Sequence, residues 1–480
     1  MDADGIYGGV GEFRCAFLPA RVQFTFSAAL GAPLPRKWPR DCIFGNFRGE
    51  HRKAEPMAVS TSIPWNMFRN ALLDFLAPGS DPAQFEGLQI ADGAYSALWN
   101  DPKGGDLIAW EFANTIPLWG ATFRDAAGRR VTDAYHAFLV AVDASAGQGP
   151  DAQRAKARAN QLSAQLANAH GNVANIKQQV RANWFRFNRN QQSLPQQQRI
   201  DYSTWFAQND GLQLAVAESD YNAIANEWMD WSDKAGGGCR ALAEALREYN
   251  NPAYRRQVTD PSGATLQHRV WNLVPRLSDF VRQAQRGQGT RLRIPMSSTR
   301  SSSTTKSGWG SDESRLGFIS LGAGGSGDRI DVDTSSAGFS VTFEAPAFTA
   351  IQMTPGPWFN RSPLVQYRNG PFISTSPYGQ GRATFFGPPK EEGTFSLMKT
   401  TVYVAYQPTI RARINSSAYQ QMQEAWNRGA GLTIGPFSFG GQSTTSKTKR
   451  DAFSGSDAEV VLQSNAQGPQ IVAVHSNIMP

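Results

Sequence analysis

The residues of this chain best suited to chemistry lie in the stretch DAYHAF, where Asp133 and His136 stand three apart. On a helix that spacing puts a carboxylate and an imidazole one turn apart on a shared face, a spacing that could serve a metal. No second such pair occurs, and the chain holds only five histidines, so an isolated core or surface histidine is the plainer reading. Cys239 follows AGGG at an expected helix start, where a thiolate could be stabilised. Glycine-rich helix entries are common, however, and neither Cys15 nor Cys42 carries the surroundings of a nucleophile.

Other motifs are weaker. GGSGDRIDVD, from Gly324 to Asp333, resembles half of a calcium-binding Gly/Asp repeat, yet it is one residue short and unrepeated. A hairpin turn is the better reading, with Asp331 and Asp333 on one strand face. Neither YGGVG near Gly8 nor SPYGQGR near Gly379 sits between a strand and a helix as a phosphate loop must. No G-x-S-x-G, H-E-x-x-H or Walker pattern is present. The sequence therefore assigns no catalytic, cofactor-binding or metal residue, and no cofactor is expected.

The elements that would position these residues are easier to read. Helices are expected at PWNMFRNALLDFLA, VTDAYHAFLVAVDA and CRALAEALREY, with strands in EFRCAFLPARVQFTFSAAL. From Asp151 to about Arg181, Ala155, Ala159, Leu162, Leu166, Ala169, Val173, Ile176 and Val180 alternate steps of four and three. That is a heptad seam. Leu214, Ala217, Tyr221, Ile224, Trp228 and Trp231 repeat the spacing, so an antiparallel pair of long helices is expected, joined through the polar RFNRNQQSLPQQQRID. A further helix is expected over HRVWNLVPRLSDFVRQAQR. Beyond Gly287 the chain turns β-rich, with alternation in RLGFISL, GFSVTFEA, FTAIQM and TTVYVAYQPTIRARI.

The C-terminal region repeats an order of elements. A helix ends at Arg-Gly-x-Gly, a short strand and a proline follow, then Ser-Thr-Thr, an aromatic, Gly-Ser-Asp and a strand. The copies begin at Arg282 and Gln421. Gly287 and Gly429 stand where each helix must stop, because glycine takes the left-handed C′ conformation without steric cost. SVTFEAPAFTAIQM and EVVLQSNAQGPQIVAV then match as two strands around a proline-containing turn. The Ser/Thr tracts read as extended arms. Leu432, Ile434, Phe437 and Phe439 alternate nearly by twos beside the second arm, and Trp309 lies in a Gly/Ser context. These five are the candidate membrane or partner contacts.

Composition bounds the rest. The 480 residues carry 40% hydrophobic residues and a formal charge of +7, enough apolar surface for two or three folded domains and a diffuse attraction to anions. Nothing indicates a specific nucleic acid partner. Three scattered cysteines are no disulfide framework, and the first residues lack the apolar run of a signal peptide. A soluble cytoplasmic protein, released if at all without a signal peptide, is expected.

The expected fold is α+β: a mixed N-terminal unit over 1–149, long antiparallel helices over 150–289, and a β-rich domain over 290–480 with an internal duplication. The expected function is non-enzymatic, acting through surfaces. Ser/Thr β arms would engage a membrane in the manner of a pore-forming toxin, with a homo-oligomer and an anionic lipid surface as partners. A self-assembling scaffold is the second reading. An enzyme drawing on Asp133, His136 and Cys239 is the third.

Overall fold

The computed structural model describes residues 62–78, 85–93, 105–260, 262–297, 317–321, 328–330, 339–387, 393–440 and 459–480. Trp309, Cys15, Cys42, both Ser/Thr tracts, YGGVG and the N-terminal strand-like run lie outside the described residues, as does most of the Gly/Asp stretch.

The described helices are α1 Ser62–Leu76, α2 Gly105–Asn114, α3 Val131–Ala141, α4 Pro150–Gln191, α5 Tyr202–Gln208, α6 Gly211–Ala235, α7 Gly237–Asn250, α8 Leu277–Gln285, α9 Ser362–Gln366 and α10 Ser416–Asn427. The strands are β1 Leu88–Ile90, β2 Thr115–Pro117, β3 Asp125–Arg130, β4 Arg255–Thr259, β5 Thr265–Arg269, β6 Trp271–Val274, β7 Thr290–Ser297 and β8 Ile319–Leu321. They continue as β9 Arg329–Ile330, β10 Ser340–Pro355, β11 Leu397–Tyr406, β12 Thr409–Arg413, β13 Leu432–Ile434, β14 Phe437–Phe439, β15 Glu459–Gln463 and β16 Gln470–Ile478. The architecture is α+β, with a long helical middle and a sheet-rich C-terminal part.

The helix pair follows its seam. Ala155, Ala159, Leu162, Leu166, Ile176 and Val180 are buried on α4, and Ala217, Tyr221 and Trp228 on α6. Pro150 at the first turn and Asp151 beside it suit a helix start, where the proline lacks only an unneeded N–H and the carboxylate meets the positive dipole end. The helix outruns its expected end near Arg181 by ten residues, to Gln191. Trp184 explains the extension: it continues the seam, is buried, and donates its indole N–H to the Ser262 carbonyl at 3.0 Å.

The main sheet runs β1-β16-β11-β10-β12-β15, with β6 and β7 also pairing β10. A second sheet runs β14-β13-β8-β9. Every ladder within them is antiparallel. Strand β10 corrects one expectation: its sixteen residues form a single strand rather than two around a turn. Pro346, which cannot donate to a ladder, is absorbed at a register shift between Ala345 and Phe348. A second correction concerns HRVWNLVPRLSDFVRQAQR. Its first half is strand, because β6 pairs with the end of β10, and the helix starts only at Leu277, beyond Pro275.

Gly287 and Gly429 close α8 and α10 with φ of 71° and 82°, as the repeated order predicts. The strands that follow differ in pairing: β7 joins β10, while β13 joins β14 and β8.

One core gathers Phe138 of α3, Leu162 of α4, Leu246 of α7, Ile351 of β10 and Val474 of β16. A second joins Phe68 of α1 to Phe343, Ile410, Phe437 and Val460. Both cores include residues from more than one of the segments expected to divide near 149 and 289. A third, smaller cluster of Ile176, Val180, Trp184, Trp205, Ala217 and Ala264 sits at the far end of the helix pair.

Candidate functional site

Asp133 and His136 do share a helix, but they meet partners that the sequence gave no reason to join. Helix α3 buries its Ala134, Tyr135, Phe138 and Leu139 face, and His136 is 1% exposed. Its ring stacks on His170 of α4, with centroids 3.9 Å apart and planes 10° from parallel. Tyr221 of α6 and Tyr249 of α7 pack beside the stack. The Tyr249 hydroxyl lies 2.9 Å from His170 Nε2, and Asp133 Oδ1 lies 3.9 Å from the same nitrogen. Arg269 covers the Tyr249 ring at 3.5 Å and donates to its backbone carbonyl.

Burial dominates the electrostatics of this cluster. It lowers His136 well below the usual imidazole value, with His170 and Arg269 adding to the effect. His170 falls to about 3, again by burial first and then by Arg269, Lys177 and Arg255. Burial also raises the Asp133 carboxyl, against the pull of Arg130 and Arg269, and raises the Tyr249 phenol. A phenol that keeps its proton can donate to a neutral imidazole, so the hydrogen bond suits both states. Stacked rings direct their ring nitrogens outward in parallel planes and not toward a common point, which does not suit chelation of one ion. Among the described residues no group of three or more His, Cys, Asp or Glu is placed to hold a metal. What the cluster does is join four helices.

Cys239, at the start of α7, is buried and its Sγ points at the Ala144 carbonyl at 3.5 Å. Burial pushes its thiol upward, the reverse of the activation that a helix start could have given.

Lys399 is a further buried ionisable residue, with little to mark it in the sequence. It lies on β11, fully buried, with its ammonium on Asp125 Oδ1 at 3.1 Å and on the Thr115 hydroxyl. The Phe112 ring centroid is 4.2 Å away. Burial lowers its amine to about 8 against the opposing pull of Asp125. The only signal in the sequence is one cation within the apolar run FSLMKTTVYVAY.

The contact candidates have a different setting from the one expected. Leu432, Ile434, Phe437 and Phe439 are at most 2% exposed, and both faces of β13 and β14 are buried. The spacing by twos suggested an amphipathic edge. Instead the strands lie between the second core on one side and Gln470 and its neighbours on the other, where Gln470 accepts from the Ser438 amide and donates to its carbonyl. In this fold these four side chains are core, not surface.

The surface that does stand out is the far end of the helix pair. No acidic residue lies between Asp151 and Asp201, against eight basic ones. Five of the eight are neutralised: Arg154 by Asp151, Lys156 by Asp143, Arg158 by Glu227, Lys177 by Glu218 and Arg181 by Glu111. The three without an ion pair among the described residues are Arg186, Arg189 and Arg199, and they are the three nearest the tip. Phe185 is 59% exposed there, Leu194 42% and Ile200 38%. The tip is braced from within. Gln191 donates to and accepts from the backbone of Ile200 at 2.9 Å each way, and Arg199 donates to the carbonyls of Leu194 and Gln192. Asp201 caps α5 through the Thr204 amide at 2.8 Å.

Among the described residues no helix is long and apolar enough to cross a membrane. No protein family, no curated protein and no solved structure matches this chain.

Proposed function

We propose that the protein acts through its surfaces rather than by catalysing a reaction, and that the tip of the α4–α6 pair engages an anionic lipid surface. The observation that carries this reading is the coincidence of unneutralised arginines with exposed apolar side chains. Arg186, Arg189 and Arg199 have no ion-pair partner among the described residues, while Phe185, Leu194 and Ile200 project beside them. A basic residue near an anionic bilayer contributes about 1 kcal/mol. An apolar side chain that passes into the headgroup boundary adds to it in proportion to the area it buries. The braced tip would present these groups without first being ordered, which lowers the entropy cost of contact.

The alternative of insertion through the second Ser/Thr arm loses its amphipathic strand, because Phe437 and Phe439 would have to leave a packed core. The catalytic reading has little to support it: His136 and Cys239 are buried and the raised thiol is a poor nucleophile.

The test is co-sedimentation with vesicles of phosphatidylcholine alone and of phosphatidylcholine with phosphatidylserine, at low and high salt. Binding only to the anionic vesicles, weakened by salt, is expected. Replacing Phe185, Leu194 and Ile200 together by serine, or Arg186 and Arg189 together by glutamate, should each reduce it at least several-fold. Absence of binding at low salt, or binding indifferent to both sets, would overturn the proposal.

A further inference from the structure

Below the tip, a groove of about 500 Å³ runs between α4 and α6. Ile176 and Ala217, 5% and 4% exposed, lie at its base, and the polar Asn172, Asn209 and Gln213 share its lining. One wall is a ridge of Leu212 and Val216, which are 76% and 53% exposed. Being four residues apart, they stand one above the other on α6. Leu212 is the most exposed large apolar side chain among the described residues.

We infer that a second copy of this chain docks here about a two-fold axis, the Leu212–Val216 ridges of the two copies interdigitating at the rim of the groove. An isologous contact requires one patch to be complementary to itself. An exposed apolar row at i and i+4 meets that requirement, and interdigitation of i±4 rows is the commonest way helices pack.

Charge selects this occupant over others. The two helices run antiparallel: Asn183 meets Asp210 at 3.2 Å, and Ser163 meets Trp228 at 3.0 Å. Arg186 lies fourteen residues beyond Asn172, a whole number of heptads, so it shares the groove-lining face of α4. It therefore stands on the tip side of the ridge. Asp220, which also lines the groove, lies four residues past Val216 on the opposite side. Neither residue makes an ion pair among the described residues. A two-fold axis lying in the contact plane and crossing α6 at the ridge exchanges the two ends, and so brings each Arg186 toward the Asp220 of the other copy. Two equivalent ion pairs then flank an apolar centre. An anionic lipid surface would repel Asp220, and a uniformly acidic partner would meet only the arginine.

The inference is independent of lipid binding, and the experiment separates them. Sedimentation equilibrium of the full chain over a range of concentrations should show a monomer–dimer equilibrium. Leu212→Glu with Val216→Glu should abolish the dimer, and both positions are already exposed in the monomer. Arg186→Glu alone and Asp220→Arg alone should each weaken the dimer about tenfold. Combined, they should restore it to near the original affinity, an outcome that a merely structural role for either residue does not produce. A chain that stays monomeric at every concentration overturns the inference, as does a dimer indifferent to the ridge variants or a double exchange without recovery. Vesicle binding by a strictly monomeric chain would remove this inference and leave the lipid proposal standing.

Discussion

The imidazoles of His136 and His170 lie face to face at 3.9 Å, although one belongs to the short helix α3 and the other to the middle of α4, the longest of the described helices. Two cations could not share that contact in an apolar site. Burial holds both rings neutral, with neighbouring cations adding to it, and makes the helix junction sensitive to acid.

The fold should lose stability as pH falls from about 6.5 towards about 3. The unfolded chain takes up a proton on each ring near 6.5, whereas the folded His170 resists until about 3 and His136 lies well below its usual value. The two contributions are complete above 6.5 and decline below it, at up to ~1.4 kcal/mol per pH unit for each ring. Asp133 works in the opposite sense: its raised carboxyl favours the folded state at low pH and that gain is lost as pH rises. Urea midpoints at about pH 7 and about pH 4.5 should diverge less in His136→Phe than in the unaltered protein. Equal divergence would count against the buried imidazoles as the source.

Lys399 predicts an alkaline effect. Its folded value of about 8 lies below the ordinary 10.5, so burial of its charge costs the fold stability at neutral pH. That cost is relieved as pH rises from about 8 to 10.5, by about 3 kcal/mol in all. The stability difference between the unaltered protein and Lys399→Met should therefore shift with pH across that window, in favour of the lysine form. A difference that stays flat would show that the amine finds water.

Within the helix pair, a buried hydrogen bond should matter more than an exposed ion pair. Ser163 accepts the indole N–H of Trp228 at 3.0 Å, and both are buried. Ser163→Ala strands that donor and should cost ~1–3 kcal/mol. Lys177→Ala removes a pair with Glu218 whose side chains are about two-fifths exposed, and should cost under about 1 kcal/mol. Urea denaturation followed by tryptophan fluorescence would rank them, and the reverse order would refute this account.

Phe437→Asp should cost more than ~4 kcal/mol, because it places a carboxylate in a fully buried site whose ring packs 5.5 Å from that of Phe343. A lowered melting temperature or insoluble protein is expected. Loss of any activity in such a variant reports on the core, so the tip residues are the proper probes of membrane contact.

How much of this was legible in the sequence depends on the range of the interaction. The helix pair was, because a step of four and three is a local pattern and both partners carry it. Its true end was not, since Trp184 belongs to the seam only once Ser262 accepts its indole N–H. The burial of Phe437 is hidden in the sequence for a related reason. Alternation by twos specifies a strand with two faces, but whether the second face is wet depends on Gln470, thirty-two residues from Ser438 and hydrogen-bonded to it. His170 carried no signal at all; nothing in sequence links it to DAYHAF. The tip was half visible, as a run without acids, and became distinctive only when five of eight cations found partners.

Strand β10 has a consequence for how the protein comes apart. Its first half lies between β7 and β12 and its second half between β6 and β11. Val341 and Phe343 serve one core, Ile351 and Met353 the other. A single backbone segment thus forms the spine of two interiors. Amides along Ser340–Pro355 that are hydrogen-bonded should exchange with solvent only when both interiors open, so the slowest-exchanging protons of the two cores should share one opening free energy.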